Sequence, residues 1–237
     1  AKEAWGQAKA AGSDLVAFPE MFITGYNAQD LVMKPAFQRA AIAEIEGLAQ
    51  ACKEGPALAI GGPWVEAGAL FNAYFILNDG RIVSVVEKHH LPNQSVFDEV
   101  RIFSSGEIAG PYSVGNTRIG SPICEDAWHP DVAETLQETG AEFLLVPNGS
   151  PYHRQKSEER QNVMVARVIE TGLPLIYLNM VGGQDDQVFD GGSFVLNPGG
   201  ALAVQMPMFE SALAHVVLIK QGSGWSAMQG ALAPLPS

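Results

Sequence analysis

Apolar positions recur along this chain with two alternating periods. In KEAWGQAKAAG (2–12) and AFQRAAIAEIEGLAQACKEG (36–55) they fall three and four apart, which predicts helices closing at Gly12 and Gly55. HPDVAETLQETG (129–140), with Pro130 in its first turn, and SEERQNVMVARVIETG (157–172) repeat that spacing. Between the helices, the short apolar runs DLVAFPE, ALAIGG, FNAYFILN, RIVSVVEK, TRIGSPI and EFLLVP predict strands. Asn-Asp-Gly-Arg at 78–81 joins two of these as a hairpin. Late in the chain PLIYLNMV, SFVLN, ALAVQM and ALAHVVL predict further strands between glycine-rich turns. Helices and strands mixed along the whole length predict an α/β fold with covered sheet faces. The tail GALAPLPS reads as the start of a connector, and the first helix has no strand before it, so both ends are expected to be cut from something longer.

Composition narrows this picture. With 237 residues, 47% of them hydrophobic, the chain is long enough for one sizeable domain spanning 1–237. A formal charge of −12 repels nucleic acid and anionic membrane surfaces, which leaves small molecules and proteins as partners. No apolar stretch approaches the roughly 20 residues of a membrane helix. The two cysteines lie far apart and the N-terminus has no signal-peptide pattern, so a disulfide framework is not expected and a reducing cytoplasm is.

Three reactive side chains stand where apolar runs stop: Glu20 after LVAFP, Lys88 after IVSVVE, and Cys124 after RIGSPI. Together they would support attack on an amide. A carboxylate can take the thiol proton, and a cation can stabilise the anions that form. The tetrahedral oxyanion needs donors where its charge develops, and the Lys88 ammonium and the backbone N–H of Glu125 would supply them. After ammonia leaves, the same carboxylate can activate water against the thioester. Each residue has a second reading, with Cys124 as a small buried hydrophobe, Glu20 facing solvent and Lys88 an exposed charge at a strand end. Cys52, inside a helix, reads as core. His89, His90, His129 and His153 lack the short fixed spacings of zinc sites, so no metal is expected, and His89 and His90 read as structural hydrogen-bonding groups.

AFPEMFITGY, EKHHLPN, VFDEVRIFSSG and PICEDAW resemble, in order, the signatures of the nitrilase superfamily of carbon–nitrogen hydrolases. FPEMFITGYNAQDL, LPNQSVFDEVRIF, ICEDAW, NGSPY and VGGQDDQVFDGGSF are similar to one branch of it, the N-terminal glutaminase domains of glutamine-dependent NAD synthetases. The resemblance runs from about Asp14 to the C-terminus. It implies a four-layer α-β-β-α sandwich, with Glu20 as general base, Lys88 as oxyanion-stabilising cation and Cys124 as nucleophile. Glu99 matches a second glutamate that orients Lys88 or substrate; its alternative is an ion pair with Arg101. Ser150 and Lys156 match the residues that hold glutamine. Gln94 stands where the branch has a substrate-contacting tyrosine, so it keeps a hydrogen-bonding group and loses a ring. VGGQDDQVFDGG reads equally as a plain turn or, by resemblance, as a loop near a path between glutaminase and synthetase sites. Relatives associate through helical faces, which implies a homo-oligomer.

The function implied is a glutamine amidohydrolase that supplies ammonia for amidation of deamido-NAD. The glutaminase itself needs no cofactor. ATP and Mg are expected only with a synthetase domain, whose Ser-Gly-Gly-x-Asp-Ser mark does not occur in this sequence. The alternatives are a free-standing amidase for another small carboxamide and a non-catalytic interaction domain that keeps the fold. Glu20→Gln and Lys88→Ala are both expected to lose acylation with the fold retained.

Overall fold

The computed structural model describes residues 1–222, 224–228 and 231–234. The chain divides into two compact units, residues 1–109 and 110–237.

The first unit runs α1 (Lys2–Ala10), β1 (Leu15–Ala17), α2 (Pro35–Ala51), β2 (Ala57–Glu66), β3 (Ala69–Asn78), β4 (Arg81–Glu87) and α3 (Glu99–Ile102). Its sheet has the order β1-β2-β3-β4, with the first pair parallel and the others antiparallel. The Asp-Gly turn closes β3 onto β4 as the sequence predicts. Residues 57–63 of β2 and 72–77 of β3 are buried without alternation, so both faces of these strands are covered. α2 buries Ala41, Ile45, Leu48 and Ala49, a stripe at helical spacing, and packs on β2 and β4. Each fully buried side chain of the Ile or Leu kind contributes about 1.5–3 kcal/mol.

The second unit holds β5 (Tyr112–Val114), β6 (Thr117–Gly120), α4 (Pro130–Glu138), β7 (Phe143–Asn148), α5 (Lys156–Thr171) and β8 (Leu175–Asn179). It continues through β9 (Val181–Gln184), β10 (Gln187–Asp190), β11 (Phe194–Leu196), β12 (Leu202–Gln205), β13 (Ala212–His215), β14 (Leu218–Gln221), β15 (Gly224–Ala227) and β16 (Ala231–Pro234). Its main sheet has the order β12-β11-β8-β7-β6-β5, parallel through β6, β7 and β8.

Three sequence expectations change here. ALAHVVL is not one strand: it breaks at residues 216–217, and β13 and β14 pair with different partners, β16 and β15. VGGQDDQVFDGG is not a plain turn, because β9 and β10 form an antiparallel hairpin within it. In the tail, Ala231–Pro234 pairs with β13 and is no connector; Pro234 ends the strand, where a missing N–H costs little. The rest of GALAPLPS lies outside the described residues.

Glu142 pins the β14–β15 hairpin. Its carboxylate accepts from Lys220 Nζ at 2.8 Å, Trp225 Nε1 at 3.1 Å and the backbone N–H of Arg118 at 2.9 Å. The Lys220 bond, followed by those of Arg118 and Trp225, lowers its pKa from 4.5 to about 2. A carboxyl depressed in the folded chain stabilises it fully above the unfolded value and loses that contribution as pH falls toward the folded one. The Trp225 indole N–H resonance is therefore expected to shift as pH falls from 4.5 to about 2, and Glu142→Gln to remove that titration. An indole signal that stays constant across the window would exclude the pin.

Among the described residues no helix is long and apolar enough to cross a membrane.

Candidate functional site

Two of the three strand-end residues meet inside the first unit. Glu20, in the loop after β1, and Lys88, just past β4, are both 0% exposed, so neither is a solvent-facing charge. Lys88 Nζ donates to Glu20 Oε1 at 2.7 Å and lies 2.8 Å from Glu99 Oε2, at the start of α3. Two acids thus share one ammonium, and burial of an uncompensated charge is costly unless further donors meet it. Asn72 Nδ2 on β3 donates to Glu20 Oε1 at 2.8 Å and to Glu99 Oε1 at 2.9 Å, and the Tyr26 hydroxyl donates to Glu99 Oε1 at 2.8 Å. Burial pushes the Glu99 carboxyl above its ordinary pKa; the Lys88 charge opposes that rise and the Glu20 charge adds to it.

The alternative pairing of Glu99 with Arg101 does not form. Arg101 is exposed and bonds Asp98 at 2.5 Å and Asp30 at 2.6 Å. Residues two apart on a helical turn point to different sides, which sends Glu99 inward and Arg101 out. Gln94 is exposed in the loop between β4 and α3.

Two glycines let the backbone bring these groups together. A Cβ on Gly61 of β2 would lie 2.2 Å from Met21 N and 2.7 Å from Glu20 C. Gly61 also bonds the loop directly, donating to Pro19 O at 3.2 Å and accepting from Ile23 N at 3.1 Å. A Cβ on Gly106 would lie 2.3 Å from Glu87 Cβ, and Gly106 N donates to Lys88 O at 2.9 Å. Only a residue without a side chain permits such approaches.

In the second unit Cys124 is buried and opens a 3-10 turn, Cys124–Trp128. β6 ends at Gly120, so the strand expected over TRIGSPI is three residues too long; Pro122 has no N–H to continue the ladder. The turn is closed by Asp126, whose Oδ2 accepts from Ile123 N at 3.0 Å. Glu125 follows, half-buried, with its carboxylate 3.6 Å from His129 Nε2. Cys124 itself has φ +48°, and three more residues beside expected site positions share this left-handed region, Met21 at +48°, Ser95 at +59° and Gln155 at +76°. A side chain there costs about 1–2 kcal/mol.

Ser150, after β7, is buried in a polar network. Its Oγ accepts from Arg160 Nε at 3.1 Å, its backbone oxygen from Arg160 Nη2 at 2.8 Å, and its N–H donates to Asn179 Oδ1 at 3.0 Å. Arg160 Nη1 also pairs with Asp190 at 2.8 Å, which fastens α5 to the β9–β10 hairpin. Burial pushes the Tyr177 hydroxyl pKa up, and the Arg160 charge opposes that rise. Lys156, first in α5, holds its ammonium 4.2 Å from the Trp128 ring centre and 3.3 Å from Glu159 Oε2. Cation–ring attraction thus ties the base of α5 to the turn that begins at Cys124.

Sequence reasoning passed over Tyr26, Asn72, Arg160, Asn179 and Asp190. Two left a trace: Asn72 is a lone amide inside the apolar run FNAYFILN, and Arg160 shares the buried stripe of α5 with Met164 and Val168.

Residues 1–220 match the family described as carbon-nitrogen hydrolase. The whole chain is similar, at 55% identity over 236 residues, to the glutamine-dependent NAD(+) synthetase of Rhodobacter capsulatus, and 88% of it, at 36% identity, to that of Acinetobacter baylyi. It spans 43% and 38% of the length of those two relatives. A solved glutamine-dependent NAD+ synthetase from Acinetobacter baumannii superposes on 99% of the chain with a TM-score of 0.87 at 31% identity, and 44% of that structure is covered. An amidase of the nitrilase superfamily from Nesterenkonia superposes on 87% with a TM-score of 0.75 at 25% identity, and 78% of that structure is covered.

Proposed function

The chain belongs to the carbon–nitrogen hydrolase family, and from that premise we propose that it is the glutaminase part of a glutamine-dependent NAD synthetase. The observation that carries this reading is the burial of Lys88 between Glu20 and Glu99, beside a relative that is 55% identical and so named. Lys88 is held as an ammonium by two acids, so it is a fixed positive charge of the kind an oxyanion requires. In this reading Cys124 gives its proton to Glu20, and its sulfur bonds to the side-chain amide carbon of glutamine. Lys88 and the Glu125 N–H meet the oxyanion. The C–N bond breaks as Glu20 returns the proton to the departing nitrogen, so ammonia leaves and a thioester remains. Glu20 then takes a proton from water, whose oxygen replaces sulfur, and glutamate and the thiol are restored.

Ser150 and Lys156 hold the amino-acid end of the substrate. Arg160 already donates to Ser150 Oγ, so that hydroxyl has its own proton to give to a carboxylate, and the Lys156 ammonium attracts the same group. Gln94 would contribute a hydrogen bond from the loop before α3. Ammonia passes to the amidation of deamido-NAD in a synthetase partner, where ATP and Mg would act. The reducing cytoplasm suits two cysteines that are both free thiols. Ile169, 61% exposed on α5, supports association of copies through that helical face.

Treatment with a diazo-ketone analogue of glutamine is expected to add one mass increment to the chain and none to Cys124→Ala, with excess glutamine protecting. Labelling that glutamine cannot block would instead favour a free-standing amidase, a reading that the Nesterenkonia likeness and Gln94 support. No labelling at all would count for the non-catalytic domain.

A further inference from the structure

Asn72 lies on β3 opposite Pro63, fully buried, and hydrogen-bonds both acids of the first unit's cluster and the backbone of its lysine. Its backbone oxygen accepts from Lys88 N–H at 2.9 Å, while its Nδ2 donates to Glu20 Oε1 at 2.8 Å and Glu99 Oε1 at 2.9 Å. A carboxylate has no proton to give, so the amide must turn its NH2 group and not its oxygen toward the acids. The consequence is that Asn72 Oδ1 is buried without a hydrogen-bond partner. An orphaned buried acceptor is unfavourable, and a leucine of similar size would avoid it. What leucine cannot supply is a pair of N–H donors to two acids that share one ammonium.

We propose that Asn72 is a positioning residue for the reaction: its amide holds Glu20 and Glu99 in register with Lys88. Lys88 and Asn72 converge on the same oxygen of Glu20, Oε1. On Glu99 the amide and the Tyr26 hydroxyl converge likewise on Oε1, while Lys88 faces Oε2. One side chain therefore bridges the acid that reacts and the acid that steadies Lys88. This inference rests on the reading of Glu20 as the base.

The test is the rate of Cys124 labelling by the diazo-ketone at saturating reagent, set against the concentration of glutamine that half-protects, in the wild-type chain, Asn72→Leu, Asn72→Asp and Asn72→Ser, with far-UV circular dichroism to establish folding. Without the amide donors the two acids lose their register with Lys88, so the saturated rate is expected to fall about tenfold or more in Asn72→Leu while half-protection by glutamine stays where it is. The loss is larger for Asn72→Asp, which adds a third carboxylate, and smaller for Asn72→Ser, which keeps one donor. A merely structural asparagine would destabilise the fold or weaken labelling and protection together. A saturated rate equal to wild type in any folded variant, Asn72→Ser included if the other two do not fold, overturns the proposal. Glu20→Gln separates the two levels of the argument. If Glu20→Gln abolishes labelling while the folded Asn72 variants label at the wild-type rate, only the role of Asn72 fails. If Glu20→Gln itself labels at the wild-type rate, the base is wrong, and the role of Asn72 falls with it.

Discussion

Gly61→Ala is expected to slow diazo-ketone labelling of Cys124 by about a hundredfold or more, the scale associated with misplacing a catalytic group by an ångström. The added methyl would sit 2.2 Å from Met21 N and 2.7 Å from both Glu20 C and Pro19 O. All three are backbone atoms, so no flexible side chain can swing aside. The loop must move, and Glu20 with it. Gly61 is not among the residues of positive φ, so alanine can adopt its dihedrals and the effect comes from collision alone. Overpacking of this kind also costs about 1–3 kcal/mol of stability, read as a lower denaturant midpoint. Gly47, on the exposed side of α2 with nothing within 4 Å of its notional Cβ, is the control. Alanine there should stabilise by up to about 1 kcal/mol through helix propensity and leave labelling unchanged. Equal labelling in the wild-type chain and Gly61→Ala would mean that the loop carrying Glu20 has no part in activating Cys124.

Lys88→Ala is expected to lose both the labelling and most of the stability, while Glu20→Gln loses the labelling alone. The sequence treats these two substitutions alike, but the cluster separates them. It holds two acids and one ammonium, all buried. Removing the ammonium leaves two acids side by side without their cation, the situation in which breaking a buried pair costs about 3–5 kcal/mol. Replacing Glu20 by its neutral isostere instead leaves Lys88 paired with Glu99 at 2.8 Å, and the remaining charges balance. Urea titrations of the two variants decide the matter. Matching midpoints would mean that Lys88 contributes little to folding, contrary to its complete burial.

The positions most legible in the sequence were those set by local rules. Helices announced themselves through apolar spacing and through Pro130 or Gly172 at their ends, and β2 and β3 through runs too apolar to face water. Chemistry at the strand ends was legible for Glu20, Lys88 and Cys124, because reactive side chains interrupted apolar runs. The partners that make those groups work were not. Tyr26 is 73 residues from Glu99 and Asn72 is 52 from Glu20, and no local pattern encodes contacts that the folded sheet brings about. Arg160 looked like one more charge on a polar helix until its burial placed it under Ser150. The strand break at 216–217 escaped for a related reason, since an apolar run specifies extended backbone but not which strand it pairs with.

The left-handed backbone at Met21, Cys124 and Gln155 bears on how this protein could change over time. Gln155 is exposed, so glycine there would relieve the local conformation and lose little packing. Met21 is completely buried, and glycine would give up more packing than the strain it removes. At Cys124 glycine would remove the sulfur itself. Mutations selected for thermal endurance alone would therefore drift toward glycine just ahead of Lys156 and at Cys124 but not beside Glu20, so a search for hardier variants should hold Cys124 fixed.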